Sequence, residues 1–240
     1  MPFTTKYGDQ RVDATVFPAD LWDELKASTE KHDLICPDPD CNVQMIPKTY
    51  HRTGTQFFAH KSESKCPMSK GMTQEHLSLQ RRVKKTITDA GWQATMEAYL
   101  PELRHESKRY VDVLAVSPDN PDCRIAFEIQ WSRQTTDKSI ERTQSYTERG
   151  LKTYWISKRE VGQQCFQEGV YNFVLTKDCE SVFFDENQYG DADLLDDFLI
   201  DDFVKKILTD DDDIVLNSFM KPTTQSPILS KLQNHIQNRR

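Results

Sequence analysis

The sequence contains no apolar run approaching the roughly 20 residues that cross a bilayer as a helix, which argues against a membrane-spanning segment. Its opening stretch, "MPFTTKYGDQ", lacks the apolar core of a secretory signal, so the chain reads as soluble and cytoplasmic. No internal repeat is visible. An excess of positive charge is missing as well: the formal net charge over 240 residues is −7. That deficit is unevenly spread, because twelve acids between Asp185 and Asp213 face only Lys205 and Lys206 there, a local net of −10. The rest of the chain then carries +3, a balance that permits a nucleic acid partner without demanding one.

Six cysteines are present, and three of them fall between positions 36 and 66, while Cys123, Cys165 and Cys179 are scattered. Without a secretory signal, clustered cysteines point to metal rather than to disulfides. Cys36 and Cys41 flank the turn "PDPD", and His60 and Cys66 follow with five residues between them. Two short-range pairs of thiolate and imidazole ligands suit tetrahedral zinc, so Cys36, Cys41, His60 and Cys66 form a candidate structural Zn2+ site. His51 and His32 are available as substitutes for one ligand. The surrounding segment is rich in turn formers and poor in apolar residues, and a metal would hold it together.

The expected organisation is an N-terminal strand and helix over 1–33, the zinc-binding module over 34–70, a main core over 71–158, strands and an acidic helix over 159–208, and an acidic then polar tail over 209–240. A strand is expected up to Phe17, followed by a helix opened by Pro18 and Asp20. From Thr73, "TQEHLSLQRRVKKTITDAGW" carries Met72, Leu79, Val83, Ile87 and Ala90 on one helical stripe that ends at Gly91. "WQATMEAYL", "RYVDVLAV" and "CRIAFEIQW" read as strands, the last two joined by the turn "SPDNPD". A helix from about Thr135 to Gly150 leads into the strand "LKTYWIS", the pattern of a right-handed parallel crossover. "VYNFVL" and "SVFF" read as further strands, and "DADLLDDFLIDDFVKKIL" as an amphipathic helix. The fold class is α/β, a mixed central sheet flanked by helices, with the small zinc-binding module attached.

Two acids interrupt these apolar strands. In "RIAFEIQW", residues two apart share a side of the strand, so Ile125, Phe127, Ile129 and Trp131 take one face and Ala126, Glu128 and Gln130 the other. Burying a carboxylate alone costs several kcal/mol, so Glu128 must be paired, bound to a cation, or on a face open to solvent or a cleft. Asp112 in "RYVDVLAV" repeats the anomaly. Two carboxylates on adjacent strands, with the main-chain carbonyl of Ile129, make an oxygen-rich set suited to Mg2+. Such an ion can activate a water and neutralise charge on a phosphate during phosphodiester cleavage. Glu75 lies at the border of the preceding helical stripe and is a candidate third acid. Arg142, Tyr146 and Arg149 follow at i, i+4 and i+7, one helical face for a nucleic acid backbone, with Arg81, Arg82, Lys84 and Lys85 as further positive charge.

In this order, "QEHLSLQRRVKK", "RYVDVLAV", "AFEIQWS", the Arg142 and Tyr146 of "ERTQSY", and "YWIS" resemble the competence protein CoiA-like family, whose nuclease domain has the restriction-endonuclease-like PD-(D/E)XK fold. The resemblance spans about residues 34 to 157 and includes the upstream cysteine and histidine module. It implies a DNA-cleaving enzyme using Mg2+ or Mn2+, acting in uptake, recombination, repair or defence. It assigns the helix acid to Glu75, the metal-binding aspartate to Asp112, and the last two signature positions to Glu128 and Gln130. The wider superfamily most often has lysine at that last position, and glutamine carries no charge to stabilise the transition state, which leaves more of the work to metal. An inactive nuclease fold that holds DNA or a protein is the alternative. The acidic stretch from 185 to 213 is a candidate surface for a protein partner.

Overall fold

The computed structural model describes residues 2–28, 33–69, 72–101, 110–131, 135–158, 171–183 and 198–209. The chain divides into two compact units, Met1–Arg81 with Met96–Val111, and Arg82–Thr95 with Asp112–Arg240. Among the described residues no helix is long and apolar enough to cross a membrane.

In the first unit, β1 (Thr4–Tyr7) lies between β2 (Gln10–Asp13) and β3 (Leu34–Ile35), antiparallel to both. The expected strand to Phe17 is therefore a hairpin that ends early. Gly8 supplies the positive φ of its turn, +57°, and Asp13 then accepts from the Thr15 N–H at 2.8 Å to open one 3-10 turn, Ala14–Val16. Helix α1 (Ala19–Ala27) starts directly after Pro18. It buries Trp22, whose ring packs edge-on against Phe17 and Phe58 and whose Nε1 donates to Thr49 Oγ1 at 3.0 Å. Strands β4 (Met45–Thr49) and β5 (Gln56–His60) form a separate antiparallel pair.

Helix α2 (Gln74–Asp89) begins close to the expected residue and stops before Gly91, whose φ is +85°. Leu79, Val83 and Ile87 of its stripe are buried, joined by Leu77. The main sheet has seven strands in the order β12-β11-β10-β9-β8-β7-β6. Its members are β6 (Gln93–Tyr99), β7 (Tyr110–Val116), β8 (Arg124–Gln130), β9 (Leu151–Ser157), β10 (Tyr171–Leu175), β11 (Ser181–Phe183) and β12 (Phe198–Leu199). Strands β7 and β8 are antiparallel, β8, β9 and β10 run parallel, and β11 and β12 turn back antiparallel. The mixed α/β architecture is the expected one. Helix α3 (Thr136–Thr147) forms the crossover from β8 to β9 and leaves through Gly150 at φ +71°.

The strands after residue 158 extend this same sheet. The acidic helix is shorter than expected: β12 precedes it and α4 (Ile200–Thr209) forms only its end, with 191–197 outside the described residues. Phe203 of α4 packs on Phe173 at 4.4 Å between ring centres. Arg82 ties α4 to the middle of α2, donating to Asp201 at 2.9 Å and to Glu180 at 2.6 Å. Most of the acidic stretch from 185 to 213 lies outside the described residues.

Candidate active site and metal-ligating cluster

Strands β7 and β8 pair from Val116 opposite Arg124 to Val113 opposite Phe127. Two residues further along β8 the ladder changes partner, because the Ile129 N–H donates to the Asp112 carboxylate at 2.8 Å. A side chain has replaced a backbone acceptor, which is how two strands begin to separate without leaving a buried donor unsatisfied. The Gln130 carbonyl accepts from the Lys158 N–H at 3.1 Å and so points toward β9. Alternation along the strand turns the Ile129 carbonyl the other way, to the β7 side where Asp112 lies. Asp112 is 7 % exposed and Glu128 0 %. Two carboxylates and a carbonyl at one strand end are hard oxygen donors, and the set fits a hydrated divalent cation.

Glu128 is paired within the protein. Its Oε1 accepts from Arg142 Nη2 and, at 2.8 Å, from the Tyr146 hydroxyl, while Arg142 Nε donates to the Tyr146 oxygen at 2.8 Å. The guanidinium lies 5.4 Å from the ring centres of both Tyr146 and Trp155. Burial alone would lower the Arg142 pKa, but the charges of Glu128, Tyr146 and Asp112 outweigh it and raise the value. Tyr146 is pushed up, by burial first and then by the Glu128 charge.

Arg142 and Tyr146 therefore do not form the exposed nucleic acid face expected of α3. They are 8 % and 0 % exposed, because the side of α3 that carries them packs on the sheet above Glu128 and Trp155. Arg149 lies beyond the helix and folds back on it, donating to the carbonyl and hydroxyl of Ser145 at 2.7 and 2.8 Å. Gln130 is half-buried beside Ser157. Glu75 is exposed in the first turn of α2, in the first unit. Of the other basic residues, Arg82 is held by Asp201 and Glu180, and Lys85 by Asp89.

In the first unit the four expected zinc ligands come together, their ligand atoms all within 4.8 Å of one another. Cys36 and Cys66 sulfurs are 3.7 Å apart, and Cys41 Sγ is 3.5 Å from His60 Nε2. Tetrahedral ligands about 2.3 Å from one ion lie about 3.7 Å from each other, so the cluster has the dimensions of a zinc site. Backbone N–H groups serve the sulfurs two residues before them, Asp38 for Cys36 and Met68 for Cys66, each favouring thiolate. Burial lowers the His60 pKa, which keeps the imidazole neutral as a ligand must be. His51 is exposed on the turn after β4 and stands apart from the cluster, and His32 lies outside the described residues.

One buried acid beside the cluster went unremarked in the sequence. Asp38, inside the "PDPD" turn, is 2 % exposed, accepts from the Asp40 N–H at 2.9 Å and approaches Cys66 Sγ to 3.7 Å. The acid-turn residue two after a cysteine was the available signal.

Residues 73–195, just over half of the chain, match the family model described as competence protein CoiA, nuclease-like domain. No curated protein and no solved structure matches the chain.

Proposed function

The chain belongs to the competence protein CoiA nuclease-like family, and from that premise we propose that it hydrolyses DNA phosphodiester bonds with a divalent metal ion, Mg2+ or Mn2+. The observation that carries the reading is the Asp112 carboxylate on the Ile129 N–H where β7 and β8 part. Asp112, Glu128 and the Ile129 carbonyl would hold the ion, which supplies charge neutralisation at the phosphate and a more acidic bound water. The chain's own residues orient the donors. Ile129 N–H fixes one Asp112 oxygen, and Arg142 with Tyr146 fixes Glu128. Gln130 offers an amide where the wider superfamily has a cation. Arg149, at 28 % exposure, remains the member of the helical trio able to face a DNA backbone. The Cys36, Cys41, His60, Cys66 cluster would hold structural Zn2+. Uptake, recombination, repair or defence is the setting the family suggests, with the acidic stretch after 184 as a surface for a protein partner.

The test is cleavage of labelled single-stranded, duplex and branched DNA with Mg2+ or Mn2+, beside Asp112→Asn. Cleavage by the unaltered chain and its loss in a variant that melts normally is the expected result. Equal cleavage by both would remove Asp112 from the site.

A second reading draws on Arg142. A permanently cationic guanidinium already neutralises Glu128, and Gln130 lacks charge, an arrangement compatible with a nuclease fold that holds DNA without turnover. A DNA mobility shift with no cleavage under any divalent ion favours it, and clear turnover removes it.

A further inference from the structure

The carboxyl ends of β8 and β9 hold a polar side chain that the proposed chemistry has not used. Parallel register sets Gln130 directly beside Ser157, one rung pair beyond Glu128 beside Trp155. Neighbours on paired strands share a face, so Ser157 stands in one row with Gln130, Glu128 and Trp155. It is 1 % exposed, and its Oγ has no hydrogen-bond partner among the described residues. A buried hydroxyl left unbonded costs folding free energy that alanine at the same place would not.

Thr153, four residues earlier, also buries an unbonded hydroxyl. Its β-branched methyl packs well in a strand and accounts for the residue. Serine has no methyl to offer. Among the described residues no group satisfies the Ser157 hydroxyl, which leaves it open to a group from outside the chain.

Depth limits what that group is. Ser157 and Glu128 are buried alike, at 1 % and 0 %, so the visitor is small. A buried water needs two to four polar partners, and Ser157 Oγ with the adjoining Gln130 amide supplies two of them. We propose that Ser157, together with Gln130, holds the water molecule that attacks the phosphodiester, which makes Ser157 a positioning residue. The inference rests on the nuclease reading. In the step it serves, the water oxygen bonds to phosphorus and the bond from phosphorus to the leaving sugar oxygen breaks. One water proton passes to solvent, and the leaving oxygen takes a proton from solvent. Ser157 and the Gln130 amide accept hydrogen bonds from the water and aim its lone pair. Both are neutral, so they orient the nucleophile without ionising it.

The test joins kinetics to a high-resolution crystal structure of the full chain. An ordered water bridging Ser157 Oγ and the Gln130 side chain is expected. Ser157→Ala should lower kcat about tenfold or more with KM unchanged, and should melt close to the parent, since the hydroxyl bonds no group among the described residues. Ser157→Thr keeps the hydroxyl and should recover most of the rate, whereas Thr153→Val should leave the rate intact. Equal kcat for parent and Ser157→Ala would overturn the inference while leaving the nuclease reading standing. A lower melting temperature in Ser157→Ala, without rescue by threonine, would make the residue structural and likewise overturn it. An absence of the bridging water would do the same. Failure of the unaltered chain to cleave any DNA would instead bring down the nuclease reading, and the water's role with it.

Discussion

Arg142 and Glu128 form an ion pair inside the protein, with 8 % and 1 % of their side chains exposed. Tyr146, one helical turn from Arg142, donates to the same carboxylate oxygen and accepts from the guanidinium, so the three close a triangle of hydrogen bonds. The strand supplies the acid and the crossover helix supplies both partners. A carboxylate that would be costly alone becomes a fixed point at the end of β8, and its neighbour Asp112 is fixed in turn by the Ile129 N–H.

Removing one member should expose how much the others depend on it. Arg142→Ala leaves Glu128 buried without its counter-charge, and the expected loss in urea unfolding is about 3–5 kcal/mol. Arg142→Lys should recover only part of it, because one ammonium cannot reproduce the planar fork that reaches both Glu128 and Tyr146. Tyr146→Phe should cost about 1–2 kcal/mol through the lost hydroxyl. Unfolding free energies within error of the parent for Arg142→Ala would show that the pair is not made in solution.

The cysteine cluster predicts both a stoichiometry and an order of reactivity. Elemental analysis of the purified chain should give one zinc per molecule, reduced in Cys41→Ser and His60→Ala. Once a chelator has removed the metal, the Cys36 thiol donates to Cys66 and brings the Cys66 pKa down to about 7, with the Met68 N–H adding to the effect. Cys36, as donor and by burial, is raised. Mass spectrometry after brief alkylation at neutral pH should therefore find Cys66 modified before Cys36, since the thiolate is the nucleophile. Equal labelling with and without chelator would argue that no metal protects these sulfurs.

Features fixed by short spacing were legible in the sequence. The alternation in β8 put Glu128 and Gln130 on one face, and the four residues that could hold a metal announced themselves by type and interval. Features fixed by packing were not. Arg142 and Tyr146 lie 14 and 18 residues from Glu128, and on a helix of mixed polarity they look like surface. Only the docking of α3 on the sheet turns them inward. The hairpin at Gly8 looks like one strand in the sequence because Gln10 to Asp13 continues an extended pattern. Glu97 gave no signal at all, since one acid in the middle of "WQATMEAYL" is what an ordinary half-exposed strand would contain.

Glu97 makes stability depend on pH. Its backbone holds a left-handed φ of +49°, and its side chain is buried, at 4 % exposure. There Oε2 accepts from the Phe3 N–H at 2.9 Å and the Thr4 hydroxyl at 3.2 Å, while Oε1 has no partner among the described residues. Arg11 donates to the Met96 and Glu97 carbonyls at 2.8 and 2.7 Å, and its charge favours the carboxylate. Burial prevails, raising the carboxyl from 4.5 to about 7. The folded chain therefore binds more protons than the unfolded chain between those values. The stabilisation from protonated Glu97 is complete below about pH 4.5 and is lost as pH rises through about 7. The shift corresponds to about 3 kcal/mol. Urea unfolding at pH 5, 6, 7 and 8 should show this decline in the parent and a flatter profile in Glu97→Gln, which keeps an acceptor for Phe3 and Thr4 but never ionises. The variant should gain on the parent steadily toward pH 8. Parallel profiles would mean that Glu97 stays ionised throughout, with Arg11 rather than burial setting its charge.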